Sequence, residues 1–230
     1  MTDDGASKGP GTRQAVVGEL AAALCEIECG HPVRVAVDGV TASGKSTVAT
    51  EIQRAITSLG RPAVHLSMDG FHHRRADRHR RGRLSAEGYY LDAYDFDALI
   101  EYVLVPCGPG GDRRIRRSII DLATDTPASD VREAIPAECV LIVDGTFLHR
   151  EPVGSNWDAT VFVDTDLGIA RRRGVERDTD LLGGREQAEE AFDQRYHAAS
   201  KMYLDVVRPA QQATVVFENN DVEHPVLRRG

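Results

Sequence analysis

Hydrophobic positions along the chain follow two periods. Over residues 14–29, Val16, Leu20, Leu24 and Ile27 recur at helical spacing, Thr12 precedes them as an N-cap and Gly30 ends the run. Residues 33–38 form a short β-branched strand that leads into a Gly-rich turn, and residues 46–59 predict a helix closed by Gly60. Residues 62–68 predict a second strand, ended by Asp69-Gly70. Asp95 opens a helix to about residue 105, which Pro106 and Gly108-Pro-Gly-Gly111 break, and residues 116–122 read as an extended piece of an inserted hairpin. Residues 138–144 and 159–164 are near-continuous apolar runs, the pattern of parallel strands covered on both faces. Residues 166–175 and 185–207 predict helices, and 213–218 a last strand. Five strands alternating with helices predict an α/β fold: a five-stranded, doubly wound parallel sheet with helices on both faces and ligands beyond the strands' carboxyl ends. Residues 1–11 are polar and predict a disordered tail; residues 12–230 predict one domain.

Composition narrows the class. With 230 residues, 41% hydrophobic and 28% charged, the chain can bury a core that needs no disulfide or structural metal. Its longest apolar runs, such as Cys139-Val-Leu-Ile-Val143, are far shorter than the roughly 20 residues of a membrane span, and the first residues carry no secretory signal, so a cytoplasmic location is expected. The 4 cysteines form no C-x-x-C pair and have no histidine at zinc spacing, which predicts reduced thiols, with Cys25 and Cys29 on one helix face. A net charge of -8 argues against a nucleic-acid partner. Yet half of the 28 basic residues lie in three arginine-rich stretches, 72–83, 113–117 and 171–177, and local positive charge of this kind suits a small polyanion.

The chemistry begins at Gly39-Val-Thr-Ala-Ser-Gly-Lys-Ser46, which matches G-x-x-x-x-G-K-[ST] at every fixed position between a strand and a helix. In such a P-loop, backbone N–H groups and a helix N-terminus surround phosphates; the glycines allow close approach. The motif predicts a P-loop NTPase fold that binds ATP through Gly39, Thr41, Ala42, Ser43, Gly44, Lys45, Ser46 and Thr47. Lys45 would neutralise β- and γ-phosphate charge, and the Ser46 hydroxyl would ligate Mg²⁺. A second magnesium group is expected from an acidic strand end. Asp144, followed by Gly145, is the first choice over Asp38 and Asp164.

Asp38-Gly-Val-Thr-Ala-Ser-Gly-Lys-Ser-Thr47, Met68-Asp-Gly-Phe-His72, Leu91-Asp-Ala-Tyr-Asp95, Val143-Asp-Gly145 and Val163-Asp-Thr-Asp166 together resemble the uridine kinase and phosphoribulokinase superfamily over roughly residues 32–221. The resemblance implies transfer of the ATP γ-phosphoryl group to a hydroxyl of a nucleoside-like acceptor, with Asp69 as the base. It implies an acceptor-binding segment at about 71–125 and a lid at about 171–185, from which Arg173 and Arg177 would reach the phosphates. Arg171 and Arg172 would face solvent. Asp92 or Asp95 would bind ribose hydroxyls; Asp95 also suits a helix N-cap, which favours Asp92. His72 falls near the nucleoside, and Asn220 lies in the loop after the last strand that contacts adenine.

The resemblance breaks where a pyrimidine would be read. The Tyr and His of uridine kinases are replaced by Ile120 and Asp125, leaving His72 or Tyr90 to read a base. Pantothenate-like or sugar-phosphate acceptors are therefore alternatives to uridine or cytidine, and the 113–117 arginines could serve an acidic one. A regulatory GTPase would need N-K-x-D, which Glu218-Asn-Asn-Asp221 is not. A nucleic-acid-dependent NTPase would need helicase-like motifs, which the sequence lacks. The expected partner is a small-molecule phosphoryl acceptor, with homo-oligomerisation left open.

Overall fold

A computed structural model describes residues 11–229; apart from Gly11, the expected tail lies outside them. Helix α1, Arg13–Cys25, is capped by Thr12, whose side chain accepts from Ala15 N. It stops short of the expected residue 29, because Arg61 Nη1 draws the carbonyls of Cys25 and Ile27 at 2.7 and 3.0 Å out of the helical ladder. Cys29 therefore lies beyond the helix, and the shared face with Cys25 is not formed. No disulfide joins the four thiols among the described residues. Burial pushes Cys107 up to about 12 and Cys139 up to about 11, so both are unreactive core groups. Folding does bring Cys29, His31 and Asp158 together, a cluster invisible in sequence spacing, but both Asp158 oxygens accept from Arg34, at 2.9–3.0 Å.

The main sheet holds β1 (Val33–Gly39), β2 (Ala63–Ser67), β3 (Val140–Gly145), β4 (Ala159–Asp164), β5 (Val215–Glu218) and β6 (Val226–Arg229), in the order β6-β5-β4-β1-β3-β2. The five expected strands are parallel; β6 is an additional antiparallel edge. Only Val226 and Leu227 mark it as apolar, so it has no run of the kind that announces a buried strand. Arg228 on this edge pairs with Asp164 and Glu218. Successive β3 residues feed opposite faces. Val140 and Ile142 pack with α1 and with α2 (Lys45–Ser58), whereas Leu141 and Val143 join a core containing Phe147 and Tyr203.

The chain leaves β1 for β2 at the edge and returns to place β3 between them, while β4 lies on the far side of β1. The carboxyl end of β1 is thus the point where connections diverge, and a crevice opens there. Between β2 and β3 lie α3 (Ala86–Asp92), a helix Phe96–Leu99 that widens into a π-turn at Ile100–Leu104, and two two-residue ladders. Asp95 caps the second of these helices, accepting from Ala98 N at 2.9 Å, and the expected hairpin is split into these two ladders. The 113–117 arginines do not reach the crevice. Arg116 pairs with Asp130 and Arg117 with Glu133, within the insert itself.

Helix α4, Leu167–Leu182, outruns its expected end at 175 by two turns, because Asp166 caps its start and Gly183, at φ 96°, is its first break. After Val175 its residues are largely polar, so hydrophobic periodicity fades while the helix continues. The helix expected over 185–207 is present as α5 (Arg185–Ala191), a π-turn at Phe192–Tyr196 and α6 (His197–Val207). Among the described residues no helix is long and apolar enough to cross a membrane.

Candidate active site

The phosphate loop alternates backbone hands: Ala42 has φ 66° and Gly44 φ 94°, which turns successive N–H groups toward one point. A Cβ on Gly44 would stand 2.6 Å from Asn219 Nδ2, and one on Gly39 2.5 Å from Ser43 Oγ. Asn219, at the end of β5, is buried and holds the loop by donating from Nδ2 to Ser43 O at 2.7 Å. Ser43 Oγ is itself buried without a hydrogen-bond partner. A glycine cradle closed to any Cβ, an orphaned hydroxyl and convergent N–H groups fit a triphosphate.

Beside this loop the strand ends sort the acidic candidates. Ser46 Oγ donates to Asp144 Oδ2 at 2.5 Å, and His65 Nε2 donates to Asp144 Oδ1 at 2.7 Å. Hard oxygen donors from a hydroxyl and an oriented carboxylate fit Mg²⁺. His65, the residue that orients Asp144, lies mid-strand in β2 and nothing in its sequence neighbourhood distinguishes it. Asp38 is fully buried and accepts from Gly39 N, Phe147 N, His149 Nδ1 and the Tyr203 hydroxyl, so it ties the loop to the chain after β3. Asp164 pairs with Arg228 at the sheet edge.

A cavity of about 750 Å³ runs from the phosphate loop into the insert, lined by Lys45, Ser46, Asp69, His72, Asp144 and Arg177 among others. Burial lowers the Lys45 ammonium below its ordinary value against the raising pull of Asp144, Asp69 and Asp38. Asp69 sits on the 3₁₀ turn Met68–Phe71, whose start is capped by Ser67 Oγ, and its carboxylate is 68% exposed toward solvent and cavity. His72 donates from Nδ1 to Asp69 O at 3.1 Å and stacks on Tyr94, ring centroids 4.3 Å apart. A hydroxyl chain then links the nucleotide end to the insert: Thr41 Oγ1 to Tyr89 at 3.3 Å, and Tyr89 to Tyr94 at 3.1 Å.

Several expected residues are placed elsewhere. Tyr90 lies one helical step from Tyr89, about 100° around α3, and stacks under Arg150 at 4.1 Å instead of lining the cavity. Asp92 is 4% exposed and paired with Arg80 and Arg81, so its carboxylate turns to the basic segment and not to the cavity. Arg173 donates to the carbonyls of Asn219 and Asn220 at 3.0 and 2.8 Å, fastening α4 to the loop after β5. Asn220 Oδ1 in turn accepts from Asp166 N. Arg177 does line the cavity, held by Asp178, which also raises its pKa. Ile120 is 5% exposed and Asp125 accepts from Arg78 at 2.9 Å, so neither is available to read a pyrimidine edge.

The Arg80 hydrogen bond holds the Asp92 carboxyl below its ordinary range, with burial opposing and Arg81 adding to it. A lowered folded-state pKa contributes stability above the unfolded value that is lost as pH falls toward the folded one. The melting-temperature difference between wild type and Asp92→Asn should therefore be flat above about pH 5 and shrink below about pH 4. A difference unchanged at lower pH would leave Asp92 without an ionic role.

A parallel sheet with a glycine-cradled anion loop after its central strand and a Ser–Asp oxygen pair beside it defines the P-loop nucleoside triphosphate-binding class. Within that class, the Phosphoribulokinase / Uridine kinase family profile matches residues 34–223, and the chain belongs to this family. It is 29% identical over 188 residues to a uridine kinase of Leuconostoc citreum strain KM20, covering 79% of this chain and 84% of that one. A uridine kinase of Ligilactobacillus salivarius is 26% identical over 184 residues, covering 79% and 82%. Among solved structures, a possible uridine kinase from Bacillus stearothermophilus superposes with a TM-score of 0.69 at 20% identity, covering 88% and 97%. A D-glycerate 3-kinase from Cryptococcus neoformans does so at 0.60 and 14%, covering 94% and 97%.

Proposed function

We propose that this protein transfers the γ-phosphoryl group of ATP to a hydroxyl of a small-molecule acceptor, with Asp69 as general base. The observation that carries this reading is that Asp69 and Lys45 line one cavity with the phosphate loop, close enough for the Asp69 carboxylate to act on the Lys45 ammonium. Asp69 accepts the acceptor hydroxyl's proton as the oxygen–phosphorus bond forms; the bond from γ-phosphorus to the bridging oxygen breaks, and its electron pair leaves with ADP. Lys45 and Arg177 offset the charge that develops on the transferring group. Mg²⁺, held by Ser46 and Asp144, would neutralise phosphate charge.

The names of the Leuconostoc and Ligilactobacillus relatives support a uridine-like acceptor, and the burial of Ile120 and the engagement of Asp125 weigh against exclusive pyrimidine recognition. A coupled ADP-release assay across nucleosides, pantothenate and sugar phosphates should find acceptor-dependent turnover without strict preference for uridine and cytidine. Strong, exclusive turnover of those two would assign base reading to His72 or another cavity residue. No acceptor-dependent ADP release from any compound would sink the kinase reading.

A further inference from the structure

Apart from the exposed Arg74, the arginines of residues 72–83 divide into two sets. Arg80 and Arg81 turn to Asp92, whereas Arg75, Arg78 and Arg83 line the cavity together with His79, and Arg195 joins them from the π-turn before α6. Arg195 is 6% exposed, stacks over the rings of Tyr89 and Tyr196 at 5.1 and 5.8 Å, and makes one protein hydrogen bond, from Nη1 to Arg83 O at 2.5 Å. No carboxylate among the described residues pairs with it, nor with Arg75 or Arg83. Arg78, 8% exposed, is oriented by His73 O and by Asp125, which also accepts from the Arg75 N–H.

The carboxylates that share the cavity are mostly engaged. Asp144 accepts from Ser46 and His65, Asp178 from Arg177 and Glu190 from Gln194, leaving Asp69 beside His72. The electrostatic field is correspondingly positive at the insert end. Burial first, then Arg195, Arg78, Arg83 and Arg75, lower the pKa of His79. A buried guanidinium without an anionic partner is costly, and its planar fork matches a phosphate or carboxylate. A neutral acceptor would leave this cost standing.

Resting on the kinase reading above, we propose that the acceptor is an anionic alcohol, whose phosphate or carboxylate is held by Arg195, Arg78 and Arg83 while its hydroxyl faces Asp69. The test is calorimetric titration of the full chain with its phosphate loop filled by a non-hydrolysable ATP analogue and Mg²⁺, so that added anions cannot enter there. The titrants are matched pairs: D-ribose 5-phosphate and D-ribose, uridine 5′-monophosphate and uridine, D-glycerate and glycerol. At least one anionic member should bind about tenfold or more tighter than its neutral counterpart, and the phosphate and carboxylate arms tell which anion the site takes. Arg195→Gln and Arg83→Gln should each weaken that binding about tenfold, and Arg83, exposed and unstacked, carries the test if the Arg195 variant misfolds. Equal affinity within all pairs, no binding of any anionic member, or anion binding indifferent to both replacements overturns the inference. Turnover of neutral acceptors alone would overturn it while leaving the kinase reading intact.

Discussion

Lys45→Ala is expected to lower phosphoryl transfer by about 10³-fold or more, a loss of several kcal/mol in the transition state. Lys45 is the only lysine between residues 9 and 200, so no other ammonium can take its place. The nearby cation on α4, Arg177, is bound at both Nε and Nη2 by Asp178. Removal also leaves Asp144, Asp69 and Asp38 without the positive charge to which all three couple. Single-turnover kinetics with saturating ATP measures the effect, with a thermal melt to show that the fold survives. A rate within about tenfold of wild type would take Lys45 out of the transition state.

Asp69→Asn should cost on the order of 10²–10⁴ in turnover, because the amide keeps the size of the side chain and cannot take a proton, while positioning and charge stabilisation persist. Affinity for a non-hydrolysable ATP analogue should be retained, since the phosphate loop and Ser46–Asp144 are untouched. Calorimetry beside single-turnover kinetics separates the two quantities. Normal turnover would move the base elsewhere, and loss of nucleotide binding would make Asp69 a magnesium or structural residue.

The conformation of the phosphate loop was legible in the chain because its pattern is local. Eight consecutive residues carry the loop, and Asp144 ends an apolar strand that any α/β reading would find. The insert end of the cavity is built from residues whose meaning depends on helix phase and on partners far along the chain. Tyr90 and Tyr89 are neighbours in sequence, yet only the second faces the cavity. Asp92 looked like a ligand for hydroxyls because no sequence rule says that Arg80 and Arg81 fold back on it. Arg195, about 112 residues from Arg83, could not be associated with it by spacing at all. In the fold, the missed strand β6 and the long polar end of α4 share one cause: both lack the apolar run or period by which strands and helices are found.

The π-turn at Phe192–Tyr196 amounts to one surplus residue in an otherwise α-helical rod. Upstream of it Ala188, and at its first residue Phe192, pack with Val175 of α4; downstream, Ala199 and Tyr203 pack into the body of the sheet. Removing a single residue from this stretch would restore the straight ladder and rotate one side against the other by about 100°. Every chemical group would still be present, but the α4 pair and the sheet could no longer both keep their faces, and Arg195, Tyr196 and His197 would lose their simultaneous approach to Arg83, the cavity and the Thr41 carbonyl. The length of this segment, counted to the residue, is therefore as much a requirement of the site as the identity of any side chain in it.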